Sequence, residues 1–181
     1  MSNFPLPYHK VGSWTTLYQN YLSDKHQINV IVCPEPKFTF EKIQYALVKD
    51  DIFKKWRRKF SVFPFRQFLK PLEKVLHKDQ KHIIQVIDNS GIVPALHQFL
   101  QRKKIRQACH IQYFYHGFPP MFDQQRGREF LESIDELIFL THDSYNAHVE
   151  RYGNLPCAHA VMYNGVDTKV FFKVTDAEKQ T

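Results

Sequence analysis

Short apolar runs recur along the chain, and stretches with helical spacing separate most of them. Residues 28–33 (INVIVC) form a continuous apolar run closed by Pro34 and Pro36, which predicts a buried strand. Residues 42–48 predict a second strand. Residues 82–87 (HIIQVI), 109–115, 136–140 and 158–163 predict four more. Between them, residues 52–60, 65–77, 92–103 and 123–133 read as helices. Thr141 caps a further helix that ends at Gly153. Within 65–77, Pro71 belongs in the first turn of a helix running to His77, where its missing N–H does no harm. Strands alternating with helices of this length imply βαβ units and a parallel sheet. The expected fold is therefore α/β, a Rossmann-like parallel sheet with helices on both faces.

Such sheets bind ligands at the carboxyl ends of their strands. That singles out Asp88, Asn89 and Ser90, then His116, Gly117 and Phe118, then Thr141 to Ser144, and finally Asn164 to Asp167.

A chain of 181 residues makes one domain. It has no run of about 20 uncharged apolar residues, so no membrane span is expected. The start, Met1-Ser2-Asn3-Phe4-Pro5, has neither a basic segment nor an apolar core, so no secretory signal is expected. Cys33, Cys109 and Cys157 lie far apart and form no C-x-x-C pair. They read as reduced thiols of a cytoplasmic protein.

Charge changes the picture because of its location. The formal net charge is +7, and residues 49–78 alone hold ten basic against three acidic residues. The remainder of the chain is therefore neutral. Lys54, Lys55, Arg57, Arg58 and Lys59 surround Trp56 and lie near Phe53, Phe60 and Phe63. Basic residues among aromatics suit an anionic membrane surface or a nucleic-acid backbone. A solvated basic helix face over an aromatic core stripe is the alternative.

Several chemistries lack their motifs. No two of the six glycines form G-x-G, and no G-x-x-x-x-G-K or G-x-S-x-G occurs. A dinucleotide fingerprint, a P-loop and an α/β-hydrolase elbow are thus disfavoured. No D-x-D is available to hold a metal–nucleotide complex. His110 and His116 flank one strand but stand about 20 Å apart, so no metal site is expected.

The last third of the chain carries a fuller pattern. Residues 135–141 lead into a helix ending at Arg151-Tyr152-Gly153. An apolar strand and then Asn164-Gly165-Val166-Asp167 follow, with Phe171 a few residues on. This resembles the end of the N-terminal domain in family 4 glycosyltransferases of GT-B architecture. Tyr115-His116-Gly117 is similar to that family's strand ending in histidine, and Val86-Ile87-Asp88 to the strand opening its acceptor cleft. Phe4-Pro5-Leu6-Pro7 with Gly12-Ser13 resembles the loop after its first strand.

The resemblance implies sugar transfer from a nucleotide-sugar donor to a glycan or lipid-linked acceptor, with no cofactor and no metal. It places His116 at the reaction centre, Gly12 and Ser13 in a donor or phosphate loop, and Asp88, Asn89 and Phe118 on the acceptor side. Asn164, Gly165 and Asp167 would shape the interdomain turn. Residues 1–170 would be the acceptor-side domain with its first strand short or missing. Residues 171–181 would lead to a donor-binding domain in the same or another chain, so this chain alone is expected to be inactive. The basic stretch would dock the protein on the inner face of a membrane. A non-catalytic acceptor-binding or membrane-anchoring subunit and a basic nucleic-acid-binding α/β module are the alternatives. Each site residue also has a plainer role: a surface histidine at 116, a turn at 12–13, a helix cap at 88–90, and caps at Thr141 and Ser144.

Overall fold

A computed structural model describes residues 30–36, 39, 43–48, 65–117 and 122–163. In chain order its elements are β1 (Val30–Cys33), β2 (Gln44–Leu47), α1 (Arg66–Glu73), β3 (His82–Ile87) and α2 (Ile92–Arg102). A 3-10 turn at Arg106–Ala108 precedes β4 (Cys109–Tyr115), α3 (Gln124–Glu132), β5 (Glu136–Phe139), α4 (His142–Tyr152) and β6 (Ala158–Val161). Strands β3, β4, β5 and β6 pair in that order, all parallel. Strands β1 and β2 form a separate parallel pair. The fold is α/β and Rossmann-like, a four-stranded parallel sheet flanked by helices.

Alternation along β4 shows how the core is built. Cys109, Ile111, Tyr113 and Tyr115 are buried, while His110 between them is exposed. The buried face joins Val86, Leu137 and Phe139 from neighbouring strands. Val93, Leu96 and Leu100 of α2, Phe130 and Leu131 of α3, and Tyr152 of α4 complete one apolar cluster. Helices α2, α3 and α4 thus share one cluster with the sheet. The opposite face carries a polar row. Gln85 donates to Gln112 (2.8 Å), Gln112 donates to Glu136 (2.7 Å), and His110 Nε2 lies 3.2 Å from the same carboxylate oxygen.

Local signals set the helix ends. Asp123 caps α3 by accepting from the Arg126 N–H at 2.9 Å. Thr141 caps α4 by accepting from the Ser144 N–H at 3.1 Å. Gly153 ends α4 at φ 75°, where L side chains are strained. Helix α1 departs from expectation. It stops at Glu73 rather than His77, and Pro71 is its sixth residue, not part of its first turn. Proline has no N–H for the carbonyl four residues back. The chain accordingly tightens to Lys74 N–H on Pro71 O (3.2 Å) and Val75 N–H on Leu72 O (3.1 Å), and the helix ends. Glu73 pairs with Lys103 just beyond α2, which ties the two helices together. The expected helix over 52–60 lies outside the described residues.

The amino edge of the sheet is pinned by an ion pair. Arg106 Nη2 lies 2.9 Å from Asp135 Oδ2, and that oxygen also accepts the Ile111 N–H at 2.7 Å. Arg106 Nη1 donates to Cys109 O at 2.7 Å. Burial alone would raise the Asp135 pKa, but the Arg106 guanidinium and the Ile111 N–H outweigh it and hold the carboxyl below its ordinary range. The three cysteines are buried and unbonded. Burial pushes all three thiols up, Cys157 to about 11. No helix among the described residues is long and apolar enough to cross a membrane.

Candidate functional site

At the carboxyl edge, β3 and β4 end side by side, with Ile87 opposite Phe114. Asp88 leaves β3 in the left-handed region at φ 48°, a conformation aspartate tolerates better than most residues. Its own N–H still donates to Phe114 O at 3.1 Å. Its carboxylate then takes two bonds from His116. The His116 backbone N–H donates to Oδ1 at 3.0 Å, and ring Nδ1 lies 2.6 Å from Oδ2. A carboxylate only accepts, so the Nδ1 proton belongs to this bond. In the neutral ring, Nε2 then carries the lone pair. The Asp88 side chain is 44% exposed and that of His116 18%, so the carboxylate faces solvent and the ring is largely covered.

Buried groups support this edge from below. Tyr113 is fully buried and hydrogen-bonded to Ser90. Burial first, then the charge of Asp88 and the nearby Tyr115, push its ionisation far above the usual range, so it stays a neutral phenol. Ser90 is engaged with Tyr113, and α2 begins at Gly91 without a side-chain cap. Gly117 follows His116 at a tight approach: a Cβ there would overlap the Tyr115 hydroxyl. Its carbonyl accepts from Ser144 Oγ at 2.9 Å. One turn further along α4, His148 Nδ1 lies 2.7 Å from Ser144 O. The His148 ring packs edge-on to Tyr115 (5.1 Å) and Phe139 (5.0 Å). Burial lowers its pKa, against the pull of the Ser144 carbonyl.

Helices α2 and α4 start just beyond the carboxyl ends of β3 and β5, so both present their N-termini to this edge. The positive ends of the helix dipoles there favour negative charge. Among the described residues no three His, Cys, Asp or Glu side chains gather as metal ligands. A cleft of about 320 Å³ lies at the opposite, amino edge among Lys78, Lys81, Lys104 and Gln107, and none of the candidate residues lines it.

No family model matches this chain, and no curated protein matches it. The carboxyl edge therefore rests on its own geometry. That geometry joins two residues which the sequence reading had given separate roles, Asp88 on the acceptor side and His116 at the reaction centre. Asn89 sits beside them, its carbonyl accepting from the Ile92 N–H at 3.3 Å. Thr141 is a cap as expected. Ser144 is not: its backbone receives the cap and its hydroxyl holds Gly117. Gly12, Ser13, Phe118, Asn164, Gly165 and Asp167 lie outside the described residues, as do Lys54, Lys55, Arg57, Arg58 and Lys59. His148 and Tyr113 were missed. No local pattern marks them, because each acts through a contact from another element.

Proposed function

We propose that this chain is the acceptor-side, N-terminal domain of a family 4-like glycosyltransferase, moving a sugar from a nucleotide-sugar donor to a glycan or lipid-linked acceptor. The observation that carries the reading is the Asp88–His116 pair, placed at the carboxyl edge of a parallel sheet where such folds bind ligands. Asp88 fixes the imidazole tautomer and orientation. An imidazole held in that way can exchange a hydrogen bond or proton with a sugar hydroxyl. The N-termini of α2 and α4 favour the negative charge that grows on a diphosphate leaving group. The donor-binding domain comes from the same or another chain.

The test is a transfer assay with a panel of nucleotide sugars. The 181-residue chain is expected to be silent by itself, since the transition state needs groups from both sides of a cleft. Supplied with the donor domain, it should turn over. There His116→Ala should lower kcat about 10²–10³-fold with an unchanged melting temperature. Robust turnover by the short chain, or normal kcat in a normally melting variant, would sink the proposal.

The concentration of surplus charge in residues 49–78 supports docking on an anionic membrane, where a lipid-linked acceptor is presented. Cosedimentation with acidic vesicles at low salt should be strong. It should vanish at high salt, with neutral vesicles, and when Lys54, Lys55, Arg57, Arg58 and Lys59 are changed to glutamine. Equal binding to both vesicle types at every salt concentration would refute it.

A further inference from the structure

The turn that carries His116 is held from beneath by α4. Ser144 is 2% exposed, so no bulk water competes for its hydroxyl, and Oγ donates to Gly117 O at 2.9 Å. That hydroxyl is not needed to cap the helix, because Thr141 Oγ1 already accepts from the Ser144 N–H. The Ser144 carbonyl is braced in turn by His148 Nδ1 at 2.7 Å. A carbonyl only accepts, so His148 donates from Nδ1. The His148 ring is as deeply buried as Ser144 and is walled by Tyr115, Phe139 and Tyr152. A chain of buried groups thus runs from α4 to the residue next to His116.

We propose that Ser144, braced by His148, is a positioning residue whose hydroxyl fixes the His116–Gly117 turn so that Asp88 captures the Nδ1 proton of His116. The two ends of the turn are held by different elements: Asp88 grips His116 from the end of β3, and Ser144 grips Gly117 from α4. With one grip lost, the imidazole rotates away from the carboxylate and its tautomer is no longer fixed. Misplacement by about 1 Å can cost 10²-fold in rate. The functional weight of this role rests on the glycosyltransferase reading, but the positioning itself does not.

The test is side-chain ¹⁵N–¹H correlation spectroscopy on the 181-residue chain. Wild-type His116 should appear as the Nδ1–H tautomer with a strongly downfield Nδ1 proton. In Ser144→Ala that proton signal should be lost or move upfield, and the ring should shift towards the Nε2–H form preferred by free imidazole. Ser144→Cys, of similar size but a weaker donor, should fall between the two. A folded Ser144→Ala chain with unchanged His116 signals would overturn the proposal. Should that variant fail to fold, unchanged signals in a folded Ser144→Cys chain would do the same. Because the readout involves no sugar transfer, a chain that shows the tautomer change yet supports no transfer would refute the functional reading alone.

Discussion

Each edge of the sheet carries a hydrogen-bonded pair that includes an aspartate, and the two pairs are put to different uses. At the amino edge, Asp135 and Arg106 are 32% and 19% exposed, and both bond to strand backbone as well as to each other. Their hydrogen-bonding capacity is spent on holding β4 and β5 in register. At the carboxyl edge, Asp88 and His116 are bonded to each other across two strand ends, and Asp88 is nearly half exposed. Its backbone sits in the left-handed region. The contrast separates a pair tied into the strand ladder from a pair that joins two strand ends through a half-exposed carboxylate.

The comparison can be broken by exchanging the expected costs. Asp135→Ala strips a charge-assisted bond from Arg106 and an acceptor from the Ile111 N–H. It should cost about 2–3 kcal/mol in urea denaturation. Asp88→Ala removes a half-exposed partner and should cost under about 1 kcal/mol. If Asp88→Ala proves the more damaging, the carboxyl-edge pair is structural and the functional assignment loses its basis.

A third measurement sharpens the contrast through pH. The pKa values of His148 and Asp135 are both lowered in the folded chain. For each, the unfolded chain binds the proton more readily, so stability rises with pH across its window. The His148 contribution is complete above its ordinary value of 6.5 and is lost as pH falls from there towards the folded value. The Asp135 contribution is complete above 3.8 and is lost as pH falls through its depressed value. The urea midpoint should thus drop between about pH 7.5 and pH 5.5, and less so in His148→Gln. An equal drop in both chains would mean that burial does not disfavour the charged form of His148.

Much of the fold was legible because its signals are local. The strands expected over 82–87 and 109–115 occur with those bounds, and those at 136 and 158 begin where expected. Asp123 and Thr141 cap because a short side-chain oxygen beside a helix start meets an N–H within three residues. Pro71 was misplaced because a proline inside a helix shows its effect only through the bond it fails to make. Ser144 was read with Thr141 as a cap, and only its burial against Gly117 gives it another role.

Hydrophobic run length, cap residues and the alternation of strand with helix determined an α/β chain with a parallel sheet, and they directed attention to the residues after each strand. Those are properties of neighbours along the chain. The meeting of Asp88 with His116, 28 residues apart, was decided by the parallel register that sets Ile87 beside Phe114. The support of Gly117 by Ser144 was decided by how α4 packs under that turn. Side-chain hydrogen bonds act over about 3 Å, and distances that short between remote residues exist only once the strands have paired and the helices have docked.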